Sequence, residues 1–265
     1  MPDAYHTELD WQERALHYGD GLFETLLKFQ SELPYWPDHY QRLARGCERL
    51  AIAPPARDWL EQKIAEASAA DENAIIKIIV SRGRGGRGLK FPTDARASVF
   101  VFSYSWQQAS ETVRTSFCQS PLSSNPELAG IKHLNRLDYV LAGLEIRDRD
   151  DIDEGLVCDS EGILVEGLIS NLFFVKSGTV YTPSLERAGV NGIMRSKVID
   201  QLHQDSIPVE IGRYTQSQLL DADECFLCNS VRGICPITAI DDQKFGVGDL
   251  TRRLMSLLNM PPINL

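Results

Sequence analysis

The chain has 265 residues, with 37 acidic and 27 basic side chains and a formal charge of −10. That length can bury a substantial core in one large domain or two modest ones, and 43% hydrophobic with 24% charged residues excludes a disordered chain. The acidic balance argues against nucleic acid or an anionic membrane as partner, since both need a basic face.

No apolar run approaches the roughly 20 residues that cross a bilayer. Residues 1–11 are polar and acidic, unlike a signal or transit peptide. The expectation is a cytoplasmic protein acting on a small molecule. The six cysteines, Cys47, Cys118, Cys158, Cys225, Cys228 and Cys235, are scattered along the chain, which does not suggest a disulfide framework. Cys225 and Cys228 form a CxxC inside a stretch that reads as a strand. Positions three apart on a strand face opposite ways, so the pair suits neither a metal nor redox chemistry. No metal site is expected.

In chain order, residues 22–30 and 33–36 read as two strands around a turn. Pro37 and Asp38 then open a helix whose apolar stripe is Tyr40, Leu43, Cys47 and Leu50. Pro54 and Pro55 end it, and Trp59, Leu60, Ile64 and Ala67 mark a second helix. Residues 74–81 and 97–104 are rich in Ile, Val and Phe and read as strands. The polar stretch 106–111 is a linker, dividing a domain over 1–105 from one over 112–265. The second half opens with a strand at 112–118. Leu134, Leu137, Leu141 and Leu144 have helical spacing. Residues 155–165 and 170–182 read as two hairpins. A helix from Ile193 to about His203, strands near 209–211 and 224–228, and a helix over 247–258 complete the chain. Many strands with interspersed helices predict a mixed α/β (α+β) protein of two domains.

Gly83-Arg-Gly85-Gly-Arg-Gly88 satisfies GxGxxG after a strand, but Leu-Lys-Phe-Pro92 follows instead of a helix, so no dinucleotide site forms. It is not a phosphate-binding Walker loop either, and kinase, EF-hand and GxSxG patterns are missing from the sequence. Four segments remain. They are Tyr40-Gln-Arg42-Leu43, Gly130-Ile-Lys132-His-Leu-Asn135-Arg136, Glu166-Gly-Leu-Ile-Ser170-Asn171-Leu-Phe173 and Gly189-Val-Asn-Gly192-Ile193-Met194-Arg195. Singly, each has an ordinary structural role. Together they supply what a pyridoxal phosphate site needs: an amine, a carboxylate for the pyridine nitrogen, a cation, and helix-terminal amides for the phosphate.

The order of these segments resembles the fold-type IV pyridoxal phosphate enzymes, which include branched-chain and D-amino-acid aminotransferases and aminodeoxychorismate lyases. The resemblance runs from about Tyr18 to Pro236 and includes Tyr18-Gly-Asp-Gly-Leu-Phe-Glu-Thr25. The first segment is read as a degenerate HxxRL, with Tyr40 in place of its histidine. The strings around Arg82–Gly88, Lys132 and Gly192 are similar to those of the lyases. The resemblance implies a smaller N-terminal α/β domain and a larger β-rich C-terminal domain, with a homodimer and pyridoxal 5'-phosphate as cofactor. It implies conversion of 4-amino-4-deoxychorismate to 4-aminobenzoate and pyruvate in folate biosynthesis, the alternative being an aminotransferase. It makes Lys132, in the C-terminal domain, the Schiff-base lysine and base. Arg42, Asn135, Glu166, Ile193, Met194 and Ser230 are the other cofactor-binding residues. Arg82 and Arg87 are read as holding substrate carboxylates, and Asn229, in the late loop where the family contacts phosphate or substrate, as substrate-binding.

Overall fold

The computed structural model describes residues 5–85, 87–90, 92–93, 95–108 and 110–259. Residues 1–4, Gly86 of the glycine–arginine string and Ala109 of the expected linker lie outside the described residues. The chain forms two compact units, Met1–Gln107 with Ile131–Asn135, and Gln108–Gly130 with Arg136–Leu265.

The first unit contains α1 (Arg14–Tyr18), β1 (Gly21–Phe29), α2 (Trp36–Arg49), α3 (Arg57–Ala67), β2 (Asn73–Ser81) and β3 (Ser98–Ser105). The three strands form an antiparallel sheet in the order β1-β2-β3. Ala74, Ile76, Ile78 and Val80 of β2 are buried, as a strand with one core face requires. α2 packs on β1 and α3 on β3, burying Leu43 and Cys47, and Leu60 and Ile64. The strand expected at 33–36 does not form. Tyr35 takes a left-handed backbone (φ 59°) and Trp36 begins α2, with Pro37 in its first turn.

The segment Ile131–Asn135 groups with this first unit, whereas sequence alone assigns Lys132 to the second domain. The cause is backbone pairing: Phe23 N–H donates to the Lys132 carbonyl (2.9 Å) and Leu134 N–H to the Gly21 carbonyl (2.9 Å).

The second unit contains β4 (Val113–Phe117), α4 (Leu137–Ile146), β5 (Glu154–Cys158), β6 (Leu164–Gly167), β7 (Asn171–Lys176), β8 (Thr179–Pro183), α5 (Ile193–Gln204), β9 (Val209–Gly212), α6 (Gln216–Leu220), β10 (Glu224–Asn229), β11 (Gly233–Ile240), β12 (Gln243–Lys244) and α7 (Asp249–Leu258). Its sheet runs β6-β5-β4-β11-β10-β7-β8-β9, with β12 on β11. β4 and β5 are parallel, as are β8 and β9. Parallel neighbours need crossovers, which α4 and α5 supply. β5, β7 and β10 are buried nearly throughout, with Phe173 stacked on Phe226 at 5.1 Å. All six cysteines are buried thiols.

Two elements differ from expectation here. β11 carries Pro236, a residue that argues against an interior strand, but its ladder to β4 begins only at Ile237. The leucine stripe starts α4 at Leu137, leaving Leu134 outside, and it faces outward: Leu137 is 70% exposed and Leu144 50%. Among the described residues no helix is long and apolar enough to cross a membrane.

Candidate active site

In the first unit the site residues hang from β1 and α2. Glu24 of β1 is 1% exposed. It accepts from Arg42 Nε at Oε1 (2.8 Å) and from Arg42 Nη2 at Oε2 (2.6 Å), and its Oε2 also pairs with His39 Nδ1 (2.7 Å). Burial pushes the carboxyl up, but the Arg42 charge and hydrogen bonds, with those of His39, outweigh it and hold it down at about 2. The HxxRL segment is therefore intact rather than degenerate. Its histidine is His39, three residues before Arg42, and one helical turn brings both onto the same carboxylate.

The Lys132 Nζ lies 4.4 Å from the centre of the Phe23 ring. Lys77 Nζ stands 5.4 Å from the same ring. Asn135 is exposed, and its Nδ2 donates to the Gly19 carbonyl at 3.3 Å.

The glycine–arginine string divides. Arg82 is 8% exposed. Its Nε and Nη2 donate to Asp20 (2.8 and 3.0 Å), while Nη1 and Nη2 donate to the carbonyls of Ala51 and Leu50 (2.9 and 2.7 Å). Arg14 Nε reaches the same Asp20 at 2.8 Å. Burial raises the Asp20 carboxyl, and the two arginines more than offset this, holding it below the usual range. Arg82 thus knits β2 to the end of α2. Arg84 pairs with Asp10. Arg87 is exposed and stays in the carboxylate-binding reading. Arg82→Gln is expected to lower the free energy of unfolding by about 3 kcal/mol, the lower end for a broken buried pair because Arg14 still holds Asp20. Arg87→Gln is expected to unfold as the parent does. Urea titration of both variants checks this, and equal stabilities would contradict it.

In the second unit Glu166 ends up 4% exposed on β6. Tyr139 Oη donates to its Oε1 at 2.6 Å, and Asn171 Nδ2 and Val190 N–H donate to Oε2 at 2.9 and 3.0 Å. These three donors are neutral and suit an anion, and the Arg195 guanidinium feels the Glu166 charge as well. Burial and the Glu166 charge push the Tyr139 phenol up, so it stays a donor. Gly189 makes the approach of Val190 possible. Its φ is +88°, and a Cβ there would meet Leu185 at 2.7 Å and Val165 at 2.8 Å.

Gly192 is the N-cap of α5, and no side chain caps this end. Its first amides, Ile193 and Met194, thus form an uncapped terminus of the kind that attracts anions. Arg195 is buried, donating to Asn191 Oδ1 (3.4 Å) and the Pro183 carbonyl (3.2 Å). Asn229 ties two turns together. Its Nδ2 donates to Ser170 Oγ (3.0 Å), and its Oδ1 accepts from the N–H groups of Val231 and Arg232 (3.0 and 2.8 Å). Ser230 lies half-buried in the turn so formed. Sequence reasoning misses Glu24, His39 and Tyr139. A histidine three residues before Arg42 was a readable signal for His39; nothing in the spacing marked Tyr139.

The model of the family described as amino-transferase class IV matches residues 21–240. The chain is 35% identical to an aminodeoxychorismate lyase of Vibrio harveyi over 96% of both sequences. It superposes on a crystal structure of 4-amino-4-deoxychorismate lyase from Pseudomonas aeruginosa with a TM-score of 0.89 at 39% identity, covering 95% of this chain and 94% of that one. A T.th. branched-chain amino acid aminotransferase with pyridoxamine 5'-phosphate superposes with a TM-score of 0.82 at 26% identity, covering 93% and 86%.

Proposed function

The chain belongs to the class IV aminotransferase family, and from that premise we propose that it is a pyridoxal 5'-phosphate-dependent lyase converting 4-amino-4-deoxychorismate to 4-aminobenzoate and pyruvate, a step of folate biosynthesis in the cytoplasm. One observation carries the choice of reaction. The two lyases are matched at 35% and 39% identity over nearly the full chain, against 26% for the aminotransferase.

The residues present fit the cofactor. Lys132 is the amine that would hold it as a Schiff base. Glu166, buried and held by the Tyr139, Asn171 and Val190 donors, suits a protonated pyridine nitrogen. The uncapped amides of Ile193 and Met194 and the Ser230 hydroxyl suit the phosphate, and Arg42, oriented by Glu24 and His39, suits a cofactor-binding cation. Asn135 suits the ring oxygen. When bound, the cofactor supplies an electron sink for the pair left behind by a departing proton. Lys132, when not tied to the cofactor, would be the base that removes the proton from the amine-bearing ring carbon. Arg87 offers a two-pronged partner to a substrate carboxylate in a protein whose net charge is −10. A proton delivered to the enolpyruvyl methylene and cleavage of the ether C–O bond release pyruvate, and the remaining ring becomes aromatic. No 2-oxo acid is consumed, which separates this reaction from the runner-up, an aminotransferase of branched-chain or D-amino acids. Supplying D-alanine or leucine with 2-oxoglutarate tests that alternative; transamination faster than lysis would favour it.

We further propose a homodimer, supported by the apolar face of α4. Leu137, Val140, Leu141 and Leu144 are 49–70% exposed along one side of the helix, an exposed apolar face of the kind that marks an interaction site. Sedimentation equilibrium is expected to give twice the chain mass, and Leu141→Glu with Leu144→Glu to give monomer. A double variant that stays dimeric would place the interface elsewhere.

A further inference from the structure

Glu154 opens β5 and is 2% exposed, in a strand whose other residues are Gly, Leu, Val and Cys. Its Oε1 accepts from Ile169 N–H at 2.9 Å, and its Oε2 lies 3.1 Å from Ser170 Oγ. Those two residues belong to the turn between β6 and β7, between Glu166 and Asn171. Gly167 leaves room for this carboxyl, since a Cβ at 167 would come within 2.4 Å of Glu154 Oε1. Ser170 Oγ in turn accepts from Asn229, whose own Oδ1 holds the amides of Val231 and Arg232. Arg232 Nη1 stands 3.9 Å from Glu154 Oε2. One buried carboxyl therefore reaches two turns that the sequence singles out.

We propose that Glu154 is a positioning residue: it fastens the 167–170 turn to the 229–232 turn and so fixes where Glu166 and Asn171 meet. The inference rests on the reading of Glu166 as the cofactor's carboxylate partner.

The groups facing Glu154 are Glu166 from β6, Cys228 from β10, Cys235 from β11, and Arg232. Burial keeps both thiols protonated, with Cys235 pushed up to about 11. The charges that act on Glu154 are thus those of Glu166 and Arg232. Burial lifts the Glu154 carboxyl to about 7. The Ile169 and Ser170 hydrogen bonds and Arg232 pull against it, and Glu166 adds to the rise. Below about 7 the proton sits on Glu154. Ser170 Oγ can receive it as readily as give one.

Stability depends on pH accordingly. The folded protein keeps a proton that the unfolded chain gives up near 4.5, so stability falls as pH rises from about 4.5 to about 7. Glutamine has the shape of the protonated acid and no such slope.

The test uses the full chain with Glu154→Gln, Glu154→Ala and Ser170→Ala, with Glu166→Gln as control. Two quantities are read: the dissociation constant of pyridoxal 5'-phosphate, and the unfolding midpoint of the cofactor-free protein at pH 5 and pH 8. Glu154→Gln is expected to bind the cofactor within about threefold of the parent, and Glu154→Ala about tenfold or more weakly. Relative to the parent, Glu154→Gln is expected to gain in midpoint at pH 8 over pH 5. Should Glu154→Ala fail to fold, Ser170→Ala reads the same link from its other end and is expected to weaken binding in the same direction. Parent-like binding by Glu154→Ala, or by Ser170→Ala in its place, overturns the proposal. So does a Glu154→Gln midpoint difference that is the same at both pH values. If cofactor binding is unmoved by Glu166→Gln, the reading of Glu166 falls, while the midpoint comparison on the cofactor-free protein still judges the protonation of Glu154.

Discussion

Lys132→Ala is expected to fold normally and to lose pyruvate release by at least about 10²–10⁴-fold, the range for removing a positioned acid–base group, with loss of the covalent link besides. Folding should survive because the segment is held by its backbone. Phe23 N–H donates to the Lys132 carbonyl and Leu134 N–H to the Gly21 carbonyl, both at 2.9 Å, and neither bond needs the side chain. What is lost is the contact of Nζ with the Phe23 ring at 4.4 Å, worth about 0.5–1 kcal/mol at a partly exposed position. The assignment has a built-in rival, since Lys77 approaches the same ring at 5.4 Å. Borohydride reduction followed by peptide mapping decides between them. The cofactor should be fixed to Lys132, and a label on Lys77 would overturn the assignment.

Glu166→Gln is expected to reduce turnover by about 10²–10³-fold, the scale for removing one preorganised charge from a buried site. The substitution conserves volume but reverses one hydrogen bond. The glutamine oxygen can keep the bonds that Asn171 Nδ2 and Val190 N–H make to Oε2, but its NH2 then meets Tyr139 Oη, whose hydroxyl proton loses its acceptor. An orphaned buried donor costs about 1–3 kcal/mol, so a modest loss of stability should accompany the loss of rate. Tyr139→Phe separates the two effects. It removes one donor to Oε1 and leaves the charge in place, so its turnover should fall far less. Steady-state kinetics with saturating cofactor measures both variants, and parent-like turnover in Glu166→Gln would remove the electron-sink role from this residue.

Much of the architecture was legible because it depends on local pattern. Alternating apolar residues placed β2, and the spacing of Leu60 and Ile64 placed α3. The glycine before Ile193 marked the start of α5. What was not legible depends on partners distant in sequence. Arg82 and Arg87 look alike in the glycine–arginine string, yet Arg82 is taken by Asp20, 62 residues away, whereas Arg87 is left exposed. Asn229 is drawn inward by Ser170, 59 residues away. Glu154 in its apolar strand gives no local sign of the turn it holds. The leucines of α4 have the spacing of a core-facing helix, and periodicity alone does not say that the face they form is left uncovered within the chain. His39 is a different case. It was visible three residues before Arg42, and its role emerged once both were seen on Glu24.

The most direct measurement is the incubation of purified protein and pyridoxal 5'-phosphate with 4-amino-4-deoxychorismate, with no 2-oxo acid added. Pyruvate and 4-aminobenzoate should appear in equal amounts over many turnovers, and the products should vanish with Lys132→Ala. Sustained absence of both products, or their appearance at the same rate in Lys132→Ala, would contradict the assignment.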